Sequence, residues 1–283
     1  HIYLGAQLVD AMVIRELRRA GVFTKMAVQT FEKMYCAGVH IAFVFPALIT
    51  LKALTEKLEG WTHIANVPRF VCVIDPAKVT SLVTKPRQRM LYTLWLRTVG
   101  FAVGFRRGDA STTDVTIEEV MEFDERFDRL WKKANRSFGL AVARTSSYLK
   151  WRYSDHPEKR YRCLAAVRGG NLDAYVVLCR VQTQDVGTWE LVELIVDPGH
   201  EEAGLALLRA IRNWAKRAGI AQLTTWMLQH HTPYIETLHK AGFIHAKRRF
   251  VPGRFGYTVP LVVRSLKAEN LPVSPLAAAN WFV

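Results

Sequence analysis

The stretch LVDAMVIRELRRAGVFTK, Leu8 to Lys25, decides how the chain is read. Residues 8 to 14 read as an apolar strand, and an arginine-rich turn containing Gly21 follows. The pairs Val22 and Phe23, Met26 and Ala27, Thr30 and Phe31, and Met34 and Tyr35 then recur at helical spacing. A helix beginning there has unpaired N–H groups and a partial positive charge at its first turn, so the junction suits a phosphate. Arg15, Arg18, Arg19 and Lys25 strengthen that field, and Gly21 lets an anion approach the backbone.

The chain of 283 residues is half apolar, enough for two ordinary domains with a substantial core, which excludes a disordered protein. Its formal charge of +14 points to an acidic partner, whether phosphorylated cofactor, nucleic acid or anionic surface, without choosing among them. Cys36, Cys72, Cys163 and Cys179 form no CxxC pair and read as four reduced, mostly buried thiols. The longest apolar run, Leu91 to Phe105, is interrupted by Arg97 and falls short of the roughly 20 residues a membrane span needs. With no signal peptide visible, the expectation is a cytoplasmic protein.

Taken in order, the strand from Leu8 and its helix lead to Gly38, a strand His40 to Phe45, a break at Pro46, a helix to about Glu59, Gly60, and a strand-rich stretch Trp61 to Ile74. The same order returns from Leu191 with LVELIVDPGHEEAGLALL, a helix through Trp214, Gly219, the strand IAQLTTWML, a helix Pro233 to Lys240, and Gly242. The two stretches align without a gap at an offset of 183, and Gly38 with Gly219 and Gly60 with Gly242 nearly keep it. Ahead of the second copy lie a strand DVTIEEVME, an amphipathic helix Phe123 to Ala134, the segment Tyr148 to Tyr153, and strands Arg162 to Val167 and Ala174 to Thr183. The first copy has only seven residues before Leu8, so its unit is expected to be incomplete at its N-terminus. Pro86 to Arg107 reads as a basic connecting helix packed on a domain, in preference to a membrane-surface helix.

Strand, RxxG turn, helix, strand, helix ending in Gly-Trp or Gly-Phe, and strand together resemble the acyl-CoA N-acyltransferases of the GNAT superfamily. FDERFDRLW followed by YLKWRY and a His-Pro is similar to tandem bacterial members. The resemblance implies an α+β fold, a largely antiparallel mixed sheet with helices on both faces, in two units. The expected division is 1–80 for the first unit, 81–113 for the linker, 114–265 for a second, degenerate unit, and 266–283 for a tail. It implies transfer of an acyl group, acetyl foremost, from acetyl-CoA or another acyl-CoA to an amine by direct attack, with no metal. By resemblance Met12, Val13 and Ile14 face pantetheine, and Arg18, Arg19, Ala20, Gly21, Val22, Phe23 and Thr24 face the phosphates. Phe23 departs from the family's small residue. Asp10 is the candidate general base for a small-molecule or peptide amine. The family's Tyr, four residues before the Gly of the last helix, is replaced by Glu56 and Leu238, which leaves the acid unassigned. Alternatives are a tRNA- or acyl-carrier-dependent transferase and a non-catalytic binding protein on a decayed fold.

In the second copy Glu201 and Glu202 align with Arg18 and Arg19, and Glu193 aligns with Asp10. The carboxylates suit a helix start by themselves and repel a pyrophosphate, so only the first unit is expected to hold the cofactor, the two loops sharing a backbone plan. His230 and His231 are adjacent and lack metal-ligand spacing, so they are expected to open the last helix. Lys247, Arg248 and Arg249 with Phe250 and Arg254 read as a solvated strand end in preference to a nucleic-acid track.

Overall fold

The structure is a computed structural model. It describes all residues except 1–2, 10–11, 82, 84, 106–113, 182–186, 247–257, 268–270, 272, 276, 278–280 and 283, and, for 48–49 and 99–105, the backbone only. The Lys247 to Arg254 cluster and most of the linker's end lie outside the described residues. In chain order the elements are β1 (Gly5–Gln7), α1 (Val22–Cys36), β2 (Ile41–Val44), α2 (Leu48–Lys57), β3 (Trp61–Val73), α3 (Pro76–Thr80) and α4 (Pro86–Phe105). They continue with β4 (Thr116–Val120), α5 (Glu125–Ala134), β5 (Leu140–Ala141), α6 (Ser146–Leu149), β6 (Tyr161–Arg168), β7 (Asn171–Arg180) and β8 (Thr188–Val196). Last come α7 (Glu201–Arg217), β9 (Gln222–Trp226), α8 (Thr232–Lys240), β10 (Ile244–His245), β11 (Thr258–Ser265) and β12 (Trp281–Phe282). Packing divides the chain into residues 1–67 with 258–282 and residues 68–257, so the passage from one unit to the other falls within β3.

In the first unit β1 runs parallel to β2, with Gly5 opposite Ile41 and Gln7 opposite Phe43, and β11 pairs antiparallel on the other side of β2. The core gathers Phe31, Ala42, Leu54, Leu58, Trp61 and Val262, with Leu8, Phe23 and Met34 packed against it. Phe31 meets Trp61 edge to face at 5.5 Å, and the Arg264 guanidinium lies 4.7 Å over the Phe31 ring while donating to the Glu59 carbonyl. A strand expected over residues 8 to 14 is instead β1, three residues long and placed earlier. Among the described residues, pairing with β2 ends where the Leu8 N–H donates to the Phe43 carbonyl at 3.0 Å, and Met12 to Ile14 lie outside any strand.

The second unit carries the order β9-β8-β7-β6-β4, with Arg69–Val73 of β3 antiparallel on β9 and β8 parallel to β9. The other pairs among its described residues are antiparallel. Central β7 is buried on both faces, so its residues read as one apolar run, not an alternation. Tyr175 on one face packs at 5.0 Å against Phe127 of α5, and Val196, opposite Ala174 on the other face, packs against α7. Helices thus cover both faces of this largely antiparallel sheet.

The repeat survives as register. Thr188 stands opposite Gln222 and Leu191 opposite Thr225, so both parallel pairs stop at the leucine that opens each aligned stretch, Leu8 and Leu191. Each copy's first helix then ends the same way, with Val39 bonded back to Met34 and Ile220 to Ala215 after a left-handed Gly38 or Gly219.

The helix starts differ, which corrects the expectation of a common backbone plan. Gly21 is the N-cap of α1, left-handed at φ 75° with open space around it, whereas α7 already begins at Glu201 and Gly204 lies inside it. A Cβ on Gly204 would sit 2.8 Å from Val196 Cγ2. Gly204→Ala therefore sets a helix-propensity gain of about 1 kcal/mol against overpacking of about 1–3 kcal/mol. The expected outcome is a net loss near ~1 kcal/mol by urea denaturation, with Val196→Ala restoring stability in the double variant.

Candidate functional site

The junction between β1 and α1 is built from local conformation. Arg15–Leu17 forms one 3-10 turn, Arg18 Nε donates to the Val13 carbonyl at 3.1 Å, and Arg19 adopts a left-handed φ of 70°. Left-handed backbone is uncommon for arginine, and with Gly21 it turns the chain sharply into α1. No side chain caps α1 and no acidic residue stands in its first turn, so the N–H groups of Val22, Phe23 and Thr24 remain for an outside acceptor. Arg18, Arg19, Ala20 and Gly21 are exposed, and Val22, Phe23 and Thr24 half-buried. Phe23 turns to the core cluster, which accounts for a bulky residue where the family has a small one. Met12 and Ile14 are 84% and 63% exposed, and Val13 lies half-buried between them. Asp10 lies outside the described residues.

The matching junction in the second unit is already filled. Thr225 Oγ1 donates at 3.0 Å to the Leu191 carbonyl where β8 leaves β9, and the Val196 N–H donates to the Tyr234 hydroxyl at 3.2 Å. Burial pushes the Tyr234 hydroxyl up to about 12, so it stays protonated at neutral pH. Leu238, where the family places its acid, is fully buried. Glu201 accepts from the Gly199 N–H at 3.2 Å, and Glu202 is held at 2.8 Å by Arg168. The helix start thus carries its own anions. His231 is the N-cap of α8, as the expectation that the histidines open that helix requires.

Sequence reasoning missed a buried polar cluster beneath this junction. Glu193, opposite Val177, shares the face of Tyr175, and a bulge between the Val177–Glu193 and Leu178–Leu191 pairs leaves Val192 unpaired on β7 and brings Glu190 to that same face. There Arg144 Nε donates to Glu193 Oε1 at 2.8 Å and the Tyr153 hydroxyl to Oε2 at 3.1 Å. Tyr153 comes from YLKWRY, where α6 passes into a π-turn, Lys150–Ser154. Only the alignment of Glu193 with Asp10 pointed to this place.

On the same sheet face Tyr161, Cys179 and Glu190 stand opposite one another across β6, β7 and β8. Trp226 Nε1 donates to Glu190 Oε1 at 2.6 Å, and Arg69 lies 5.5 Å over the Trp226 ring. Burial raises Glu190 above the usual carboxylate range, with Arg69 and Trp226 opposing the rise.

Among the described residues Asp173, Asp197 and His200 lie close enough to share a metal ion, but Lys133 is 2.6 Å from Asp197 and Arg168 is 2.9 Å from Asp173. These two cations already offset the carboxylates. Of the thiols, Cys72 and Cys163 are buried and Cys179 half-buried, but Cys36, at the last residue of α1, is exposed, which corrects the expectation for that one.

Solved structures share this architecture. A GCN5-related N-acetyltransferase from Anabaena variabilis superposes with a TM-score of 0.58 at 9% identity, over 93% of this chain and 55% of that one. A tandem GNAT protein from the clavulanic acid biosynthesis pathway gives 0.54 at 13% identity, over 93% and 76%. Saccharomyces cerevisiae N-myristoyltransferase with bound myristoyl-CoA gives 0.53 at 11%, over 89% and 60%. The chain has the GNAT fold, and it spans about half the length of the first three structures it matches. No family model matches the sequence, and no curated protein does.

Two consequences are measurable. Arg144→Met leaves Glu193 buried without its cation and is expected to destabilise the protein by about 3–5 kcal/mol, while Arg144→Met with Glu193→Leu recovers part of that. Glu190 has a raised folded pKa, so the unfolded chain ionises first as pH rises and stability falls above the unfolded value of about 4.3. Glu190→Gln should therefore raise the Tm at pH 7, with the gain shrinking towards pH 4. A constant difference across that range would contradict the burial argument.

Proposed function

We propose that the protein is an acyl-CoA-dependent N-acyltransferase whose first unit holds the thioester and whose second unit is a degenerate copy serving as scaffold. The observation that carries this reading is the start of α1: uncapped, free of acids, flanked by Arg18 and Arg19, and set directly after two parallel strands part. A pyrophosphate on Val22, Phe23 and Thr24 gains the helix dipole and the guanidinium field. Each unit charge pair at about 5 Å and an effective dielectric of about 20 is worth about 3 kcal/mol. Among the described residues no backbone bond to β2 follows that of Leu8, and the segment Met12, Val13 and Ile14 is where the pantetheine arm would add as a strand, the Val13 carbonyl being released as Arg18 turns to the pyrophosphate.

In the reaction the amine nitrogen attacks the thioester carbonyl, the new C–N bond forms, the C–S bond breaks, and the CoA thiolate leaves. The proton lost by the amine passes to Asp10, two residues beyond the last bond to β2 in sequence, and the thiolate needs little help because a thiol pKa of about 8.5 is near neutral. On this reading the protein works in the cytoplasm, the units by descent are 1–80 and 114–265, and the acyl group is acetyl. Myristoyl-CoA in a neighbour of the same fold makes the acyl length a point to measure.

Isothermal titration of the full chain with acetyl-CoA, myristoyl-CoA and charged tRNA tests this. Binding of a CoA thioester is expected, weakened more than about 100-fold by Arg18→Glu with Arg19→Glu. Glu201→Gln with Glu202→Gln should leave it unchanged. A chain that binds no CoA thioester, or one whose affinity ignores the arginine reversal, would overturn the proposal.

A further inference from the structure

Helix α4 presents two unlike faces. Towards the protein, Leu96 packs with Val79 and Ala221, Trp95 joins them, and the Thr93 hydroxyl bonds the Thr80 hydroxyl at 2.7 Å. On the opposite side Met90, Leu91 and Leu94 are 67%, 61% and 60% exposed, spaced three and four residues apart so that they form one stripe. Arg87 and Arg97 stand on the same stripe, one turn before Leu91 and one turn after Leu94, while Arg89, also exposed, lies on the row of Thr93 and Leu96. A shallow hollow of about 580 Å³ opens here, lined by Val83, Pro86 and the helix itself.

The charge pattern says what covers this face. From Pro76 to Gly108 the sequence holds Lys78, Lys85, Arg87, Arg89, Arg97, Arg106 and Arg107 and no Asp or Glu. Such a run complements an anionic surface. A nucleic acid would use the arginines but leave three exposed apolar side chains without purpose, since phosphate contacts are polar. An anionic bilayer uses both: the apolar stripe enters the headgroup boundary, while arginine stems lie along it with their guanidinium groups at the phosphates. No helix among the described residues is long and apolar enough to cross a membrane, so the attachment is peripheral.

We propose that α4 docks the protein on anionic lipid surfaces through Met90, Leu91, Leu94, Arg87 and Arg97. The inference is independent of acyl transfer, since none of these residues belongs to the junction at α1. Co-sedimentation of the full chain with vesicles of phosphatidylcholine alone, or with about one third phosphatidylserine, tests it. Binding is expected only to the phosphatidylserine vesicles and should weaken as salt rises. Each basic residue near such a surface is worth about fivefold, so Arg87→Glu with Arg97→Glu should reduce binding more than about 25-fold. Met90→Ser with Leu94→Ser tests the apolar half: these residues are exposed, so the fold, followed by far-UV circular dichroism, should be kept while vesicle binding drops at least about tenfold. Absent vesicle binding, equal binding to neutral vesicles, or binding indifferent to the serine pair would overturn the proposal. Self-association lost with that serine pair, in the absence of vesicle binding, would assign the face to a second copy instead.

Discussion

Both units turn on one constraint: a strand that leaves its parallel neighbour sets free backbone groups that must find partners. The parting falls at the same place in each copy, Leu8 from β2 and Leu191 from β9. In the second unit the vacated groups are taken internally, the Leu191 carbonyl by the Thr225 hydroxyl and the Val196 N–H by Tyr234. In the first, register puts Val44 at the place of Thr225, and valine has nothing to donate. The framework is therefore closed across the strand pair in the second copy, whereas in the first, among the described residues, partners come from the following turn, Arg18 Nε for the Val13 carbonyl and the Leu17 N–H for the Ile14 carbonyl.

The helix starts follow the same division. An α-helix leaves its first N–H groups unpaired, and a sequence meets this with carboxylates, caps or a ligand. The second unit uses Glu201 on Gly199 and engages Glu202 with Arg168, so charge is balanced within the protein. The first unit places arginines where those carboxylates would serve, and one of them, Arg19, is left-handed. Like charges around a positive helix end are unfavourable in isolation, and an anion reverses the sign of the whole arrangement.

The order of elements was legible because it rests on local periodicity: α1, α5, α7, β6 and the glycines after the helices lie where spacing puts them, and β7 begins three residues earlier than expected. The strand at residues 8 to 14 was misplaced because an apolar run marks a strand only if a neighbour exists to bond it, and Met12 and Ile14 turned out exposed. RRAG and EEAG align as letters, but letters do not carry φ: Gly21 turns left-handed into a helix, while Gly204 is small because Val196 lies against it. Arg144 and Glu193, 49 residues apart, could not be paired from sequence, because the pairing of Val177 with Glu193 and the path of the chain to Arg144 fix that contact. Contacts of this kind depend on register, which a single sequence leaves open.

Where local choices conflict with stability, a function is the usual reason. Around the second unit's junction the charges are paired, Glu193 with Arg144 and Tyr153, and the buried Glu190, itself costly at neutral pH, is partly offset by Trp226 and Arg69. The first unit concentrates such conflicts in a dozen residues, with Met12, Ile14 and Leu17 exposed, a left-handed arginine, an uncapped helix and clustered positive charge. Each is mildly unfavourable in the free protein. Bound anion and acyl arm would relieve all of them together, the anion at the helix start and the apolar arm along Met12 and Ile14. A ligand with one charged end and one apolar end meets that pair of needs better than either chemistry alone, and the proposal of a CoA thioester at the first copy rests on that match.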